Sequence, residues 1–147
     1  MSATARLAEL GISLPPVATP VGSYVPAVRT GSLVYTSGQV PRDAALGKVG
    51  AEVSAEDASA AARLCALQAL AAVDALVGLD SVVRVVKVVG FVASAPGFTG
   101  QPGVINGASD LLGEVFGEAG AHARSAVGVA ELPGGVPVEV EIIVEVR

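Results

Sequence analysis

The chain has 147 residues, a length typical of a single domain. Its 9 Lys and Arg residues against 14 Asp and Glu residues give a formal charge of −5, which disfavours nucleic acid as a partner because phosphates bind basic surfaces. Apolar residues make up 52% of the chain, which excludes disorder, and the single cysteine excludes an internal disulfide.

Residues 1–20 are predicted to form an N-terminal arm of one domain that spans residues 1–147. Within this arm, Ala5 to Leu10 has a short helical pattern that Gly11 ends, and a proline-rich crossing follows. The first residues lack the basic start and the apolar run of a secretory signal, so we expect a cytoplasmic protein.

A hairpin and a long helix are predicted after the arm. Residues 25–28 lead into a turn at Thr30-Gly31-Ser32, and the β-rich Leu33 to Thr36 follows. Ser54 is the predicted N-cap of the helix because acidic residues occupy the first turn after it, and Gly78 is its predicted end. Charged and polar residues interrupt the apolar part of this helix well short of 18 residues, which disfavours a membrane span.

The C-terminal half is predicted to contain three strands and one helix. Val82 to Val92 is apolar on both faces, as is typical of a central strand, and Val104 to Phe116 has the pattern of an amphipathic helix. Ser125 to Leu132 and Val138 to Val146 are predicted to pair as a hairpin around a Pro-Gly-Gly turn. The order β-β-α-β-α-β-β predicts an α+β fold with two helices on one face of a mixed sheet.

The last predicted strand has two different faces. One face carries only apolar residues and suits the helices, whereas the other carries Glu139, Glu141, Ile143 and Glu145. On this second face, no predicted helix covers Ile143 and the apolar residues of neighbouring strands. Because bare sheet of this kind is usually covered by another subunit, we expect a homo-oligomer.

Few of the common catalytic constellations fit this sequence. His122 and Cys65 are the only His and Cys residues, which disfavours a metal site because zinc normally needs three or four His, Cys or acidic ligands. No Gly-x-Ser-x-Gly elbow, Gly-x-Gly-x-x-Gly segment or phosphate loop occurs. We therefore expect no metal and no cofactor, and we interpret His122 as a loop residue and Cys65 as an inert core thiol.

Arg124 is the strongest remaining candidate because a guanidinium can bind a carboxylate through two parallel hydrogen bonds. The alternative is that Arg124 is an ordinary solvated arginine. Glu139 and Glu141 share one face of the last strand, and they too are either solvated side chains or part of a site.

Two pairs of segments resemble a known family. Arg124 to Pro133, followed by Val138 to Glu141, closely resembles the C-terminal signature of the YjgF/RidA family, also called the endoribonuclease L-PSP family. Upstream, Val21 to Tyr24 and Thr36 to Pro41 are similar to the family's Gly-Pro-Tyr and Thr-Ser-Gly-Gln-Ile-Pro segments. The resemblance covers roughly residues 21–147.

The resemblance implies a chorismate-mutase-like fold that assembles as a homotrimer with pockets between subunits. It also implies hydrolysis of reactive enamines and imines, such as 2-aminoacrylate and 2-iminopropanoate, to a 2-keto acid and ammonia. In this interpretation, Arg124 binds the substrate carboxylate and Glu139 positions or activates the attacking water. Four further residues would line the pocket: Tyr24, Ser37, Gly38 and Asn106.

The spacing of Arg124 and Glu139 adds a constraint. The predicted hairpin pairs Glu139 with about Ala130, six residues from Arg124, which corresponds to roughly 20 Å at about 3.3 Å per residue. Both residues can act on one small substrate only if the sheet curls strongly or if they come from different chains.

Three functions remain open at the level of the sequence. The first is a trimeric imine deaminase, and the second is a non-catalytic module that uses Arg124 to bind a small carboxylate such as a 2-keto acid. The third is the endoribonuclease of the family's name, which the acidic charge and the 3% aromatic content disfavour.

Overall fold

The computed structural model describes all of residues 1–147 and shows one mixed sheet of five strands with helices packed against it. The elements in chain order are α1 (Ala3–Glu9), β1 (Ala27–Thr30), β2 (Leu33–Thr36), α2 (Ala55–Val77), β3 (Val82–Ala93), α3 (Gln101–Phe116), β4 (Ala123–Val129) and β5 (Val138–Val146). The predicted α+β order is confirmed, and α1 in the N-terminal arm is a third helix.

Helix α2 begins and ends where the sequence predicts. The Ser54 Oγ accepts a hydrogen bond from the Asp57 N–H at 3.0 Å, and Gly78 ends the helix with φ at 81°. The 23 residues of α2 are long and apolar enough to cross a membrane by length and composition alone. Eleven of them are buried, including Cys65, so α2 is a core helix and Cys65 is a core thiol.

The strand order in the sheet is β1-β2-β5-β3-β4. All neighbouring strands are antiparallel except β3 and β4, which are parallel and place Val88 opposite Arg124. Helix α3 connects these two strands, and a helix crossover of this kind is what parallel neighbours require. Strand β3 is flanked on both sides, which confirms the central position predicted from its two apolar faces.

The predicted C-terminal hairpin is wrong. Strand β3 lies between β4 and β5, and the chain between these two strands passes the end of β3, where the Ala93 N–H donates to the Pro137 carbonyl at 2.9 Å. Glu139 therefore lies opposite Phe91 rather than opposite Ala130. The estimate of 20 Å between Arg124 and Glu139 was based on the wrong pairing and no longer applies.

The two faces of the sheet differ as β5 predicts. The apolar side chains of β5 are buried beneath the helices, whereas Glu139, Glu141, Ile143 and Glu145 lie on the opposite face and are partly exposed. Neighbouring strands add apolar side chains to this second face, with Val28 52% exposed, Tyr35 43% and Val127 45%. The sheet thus has one covered face and one open, partly apolar face.

A buried glutamine fixes the loop after β2. The Gln68 Nε2 of α2 donates to the Val40 carbonyl at 2.7 Å, and the Gln68 Oε1 accepts from the Arg42 N–H at 3.2 Å. Gln68 is 1% exposed, so both bonds are shielded from water. Because no water can replace them, breaking either bond would leave polar atoms unsatisfied. The segment that contains Ser37 and Gly38 is thereby held against α2.

Two glycines of α3 provide a matched test of helix packing. A Cβ at Gly107 would clash with the backbone carbonyl of Ser59 in α2, whereas a Cβ at Gly113 would meet nothing within 4 Å. We expect Gly107→Ala to lower the free energy of unfolding by about 1–3 kcal/mol, and Gly113→Ala to raise it by up to about 1 kcal/mol. Urea unfolding measures both values, and equal effects at the two positions would contradict the close approach of α2 and α3.

Candidate functional site

Arg124 is the second residue of β4, and its side chain lies on the helix-covered face of the sheet. The Arg124 Nη1 donates to the Asn106 Oδ1 at 2.7 Å and to the Ser109 Oγ at 3.2 Å. Asn106 and Ser109 are three residues apart on α3, so their side chains lie on one side of that helix. The structure thus brings together two of the predicted site residues, Arg124 and Asn106, through α3.

Arg124 has no anionic partner within the chain. The three ion pairs join Arg6 to Glu9, Lys48 to Glu131 and Arg63 to Glu114. The guanidinium of Arg124 is half-buried and bonds only to neutral oxygen atoms, so its charge is oriented but not compensated. A small anion that carries a carboxylate is the natural complement of such a group.

His122 joins this cluster just before β4 begins. Its Nε2 lies 2.9 Å from the Ser109 Oγ, and its Nδ1 lies 2.6 Å from the Gly120 carbonyl oxygen. His122 is a loop residue as predicted, but it is half-buried and hydrogen-bonded on both ring nitrogens. The sequence did not indicate its partnership with Ser109, because Ser109 lies on α3 and His122 lies 13 residues later, in the loop before β4.

Glu139 lies on the open face of the sheet beside Gly38. A Cβ at position 38 would lie 2.7 Å from the Glu139 Oε2, so any side chain there would displace the Glu139 carboxyl group from its present place. The Gln39 N–H donates to the Val140 carbonyl at 2.8 Å and holds the two segments together. The predicted residues Gly38 and Glu139 therefore form a second group.

The carboxyl of Glu139 has a raised pKa. Burial is the larger cause, because it disfavours the charged form, and the negative charge of Glu141 on the same face is the smaller cause. A raised pKa of this origin is frequent among carboxyl groups that exchange protons during catalysis, although structural carboxyl groups show it as well.

Ser37 and Tyr24 shape the segment around Gly38. The Ser37 Oγ donates to the Val25 carbonyl at 2.6 Å, and the Tyr24 Oη accepts from the Val21 N–H at 3.2 Å. The Tyr24 hydroxyl therefore belongs to a local turn, whereas the Ser37 hydroxyl joins two segments 12 residues apart, and the Tyr24 side chain is 46% exposed. In the single chain, neither residue contacts Arg124.

The Arg124 group and the Glu139 group do not meet within one chain. Arg124 pairs with Val88 on the helix side, whereas Glu139 pairs with Phe91, whose side chain lies on the open side. Two strand spacings of about 4.8 Å and three residues of about 3.3 Å separate their Cα atoms, which amounts to about 14 Å. The two side chains point away from each other across the sheet.

Two large cavities lie near the helices and the start of β4. One, with a volume of about 650 Å³, borders the Arg124 cluster, because His122 and Ala123 line it together with Arg84 and Glu145. The other is a groove of about 600 Å³ between α2 and α3, and none of the six predicted site residues lines it. None of the six predicted site residues lines the first cavity either, although Ala123 directly precedes Arg124 in the chain. No group of three potential metal-ligating side chains occurs in the chain.

Comparison with known proteins places the chain among relatives along almost its whole length. The profile of the family described as Endoribonuclease L-PSP matches residues 16–146. Protein TCP17 of Trypanosoma cruzi is 49% identical over 149 residues, which cover 97% of this chain and 93% of that protein. Protein Atu1372 of Agrobacterium tumefaciens has 46% identity and a TM-score of 0.90, with 99% of this chain and 92% of that chain covered. TdcF of E. coli, solved with bound serine, has 28% identity and a TM-score of 0.61, with 91% and 94% covered.

The raised pKa of Glu139 predicts a pH-dependent effect of Glu139→Gln on stability. The folded state binds the Glu139 proton more tightly than the unfolded state, in which a glutamate has a pKa of about 4.3. Ionisation of Glu139 therefore opposes folding as the pH rises. We expect Glu139→Gln to be more stable than the unsubstituted protein at pH 7 and to lose this advantage near pH 4. Urea unfolding at both pH values measures the difference.

Glu141→Gln is the matched control for this prediction. It removes the neighbouring charge but leaves Glu139 buried, so the pKa of Glu139 should fall and remain above its ordinary value. Carboxyl ¹³C chemical shifts follow the titration of Glu139. A pKa of Glu139 that stays unchanged or rises in Glu141→Gln would contradict the assigned causes.

Proposed function

The chain belongs to the endoribonuclease L-PSP family, also called the YjgF/RidA family, and we propose that it hydrolyses small enamines and imines that carry a carboxylate. The substrates are of the 2-aminoacrylate and 2-iminopropanoate type, and the products are a 2-keto acid and ammonia. The single observation that carries this proposal is the half-buried guanidinium of Arg124, which has an oriented charge and no carboxylate partner in the chain.

The chemistry needs few protein groups because an imine carbon is already electrophilic. Arg124 holds the substrate carboxylate and thereby orients the carbon–nitrogen double bond. Glu139 accepts a proton from water as the water oxygen bonds to the imine carbon, and the imine nitrogen takes up a proton from solvent. Glu139 then returns its proton to the nitrogen of the resulting amino alcohol, the hydroxyl proton passes to solvent as the carbonyl forms, and the carbon–nitrogen bond breaks to release ammonia. Each step is a proton transfer, an addition or an elimination, so the reaction as proposed needs no cofactor.

The raised pKa of Glu139 supports this role. A carboxylate with a raised pKa is a stronger base toward water than an ordinary glutamate, and its protonated form can return the proton to the departing amine. Gly38 keeps the backbone close to Glu139 and leaves its carboxyl without a side chain above it. Tyr24, Ser37 and Asn106 complete the proposed pocket wall, with Asn106 acting through its bond to Arg124.

The proposed site is assembled from two copies of the chain. Arg124 and Glu139 point to opposite faces of one sheet, so one substrate can contact both only if a second copy supplies one of them. The open, partly apolar face supports such an association because Tyr35, Val28 and Val127 are exposed there. We propose a homotrimer in which Arg124 of one copy faces Glu139 of the next. We also propose that this trimer acts in the cytoplasm.

The bound serine of TdcF supports a small amino-acid-like ligand rather than RNA. Serine carries a carboxylate, which is the group that Arg124 is suited to bind. The formal charge of −5 and the glutamates on the open face oppose binding to a polyphosphate chain. A protein that binds carboxylates without catalysis remains the alternative outcome of the activity test.

Replacing Arg124 tests the anchor. We expect Arg124→Ala to lower kcat/KM for 2-iminopropanoate by about 100-fold or more, because a charge-assisted bidentate contact is lost. Arg124→Lys keeps the positive charge but loses the paired N–H donors of the guanidinium. Its kcat/KM should therefore lie between the values of the unsubstituted protein and of Arg124→Ala. The imine is generated from alanine with an amino-acid oxidase, and ammonia and pyruvate release are followed. Pyruvate binding without any acceleration in the unsubstituted protein would favour the non-catalytic module.

Mixing two inactive variants tests the shared site. Arg124→Ala and Glu139→Gln chains, unfolded together at equal amounts and refolded, should regain activity, since about a quarter of the sites then receive both intact residues from different copies. Each variant refolded alone is the control and should stay inactive. No recovery in mixtures that assemble normally would contradict a site built from two copies.

A further inference from the structure

We propose that Ser109 and His122 are positioning residues that orient Arg124, so that it presents only its Nε–Nη2 edge to a ligand carboxylate. This inference rests on the proposed role of Arg124 as the carboxylate anchor. Ser109 contacts Arg124 directly, and His122 contacts Ser109. Neither residue has a role in the steps of the proposed mechanism.

With a neutral imidazole, the hydrogen bonds of this cluster run in one direction. The Gly120 carbonyl oxygen only accepts, so the His122 Nδ1 at 2.6 Å carries the hydrogen. In the neutral ring, the His122 Nε2 is then an acceptor and takes the hydroxyl hydrogen of Ser109 at 2.9 Å. The lone pairs of the Ser109 Oγ are thus free to accept from the Arg124 Nη1 at 3.2 Å. The chain of donors runs from Arg124 through Ser109 and His122 to Gly120.

This direction decides which edge of the guanidinium is available. The Nη1 of Arg124 has two hydrogens, and they are used by Asn106 and Ser109. A carboxylate therefore cannot bind end-on through Nη1 and Nη2 without displacing one of these oxygens. The remaining fork, formed by Nε and Nη2, has the geometry for two parallel hydrogen bonds to one carboxylate.

His122 acts through Ser109 and not on the ligand. Without the imidazole, the Ser109 hydroxyl hydrogen is free to rotate. It can then point toward the Arg124 Nη1, where it weakens the hydrogen bond from Nη1 to the Ser109 Oγ. Without Ser109, the imidazole has no contact through which to orient Arg124. The effects of the two substitutions on ligand affinity should therefore not add.

Pyruvate binding by isothermal titration calorimetry tests this order of action. We expect Ser109→Ala to raise the Kd about five-fold, as for the loss of one hydrogen bond, and His122→Phe to raise it about two-fold. The double variant should bind no more weakly than Ser109→Ala alone. Ser109→Thr, which keeps the hydroxyl, should retain most of the affinity. Ser59→Ala replaces a half-buried serine of α2 that makes no hydrogen bond to Arg124, and it should leave the Kd unchanged.

The outcomes separate this inference from the proposed function. Unchanged affinity in Ser109→Ala, or additive losses in the double variant, would overturn the positioning role even if Arg124→Ala abolishes binding. Undiminished pyruvate binding in Arg124→Ala would instead overturn the proposed anchor.

A measurement without ligand tests the same arrangement. In ¹⁵N NMR spectra, His122 should carry its hydrogen on Nδ1, and the Arg124 Nε–H should be rigid in the unsubstituted protein and mobile in Ser109→Ala. A His122 hydrogen on Nε2, or an Arg124 Nε–H that is mobile already in the unsubstituted protein, would overturn the inference whether or not pyruvate binds.

Discussion

Side chains alternate between the two faces of a strand, and this constraint governs what one copy of the chain can do. Arg124 lies under α3 on the covered face, and Glu139 lies on the open face beside Gly38. No rotamer change can bring the two groups to one substrate within a single sheet, because the sheet itself stands between them. An activity that uses both residues therefore depends on association of identical chains, and the open face supplies apolar surface for it.

Helix α3 links the fold to the chemistry of Arg124. As the crossover between β3 and β4 it makes these strands parallel, and the same helix lies over Arg124 and offers it the oxygens of Asn106 and Ser109. Both oxygens are neutral, so the guanidinium is held in place without losing its attraction for an anion. An ion pair in this position would fix the side chain equally well, but it would neutralise the positive charge that attracts an anion.

Local patterns in the sequence predicted the elements well, and long-range pairing was the part that failed. Ser54 and Gly78 marked the ends of α2, and the alternation in β5 predicted its buried face. The C-terminal hairpin was wrong because β3 pairs with both β4 and β5, and a strand that is apolar on both faces gives no indication of which neighbours it takes. The link between Ser109 and His122 was missed for a related reason, since only the packing of α3 over the start of β4 brings them together.

The most direct test of the account is a crystal structure of the assembled protein with pyruvate bound. We expect the pyruvate carboxylate on the Nε–Nη2 edge of Arg124, with Glu139 of a second copy facing the keto carbon. Pyruvate bound away from Arg124, or an assembly in which Glu139 of every copy lies far from each Arg124, would contradict the account.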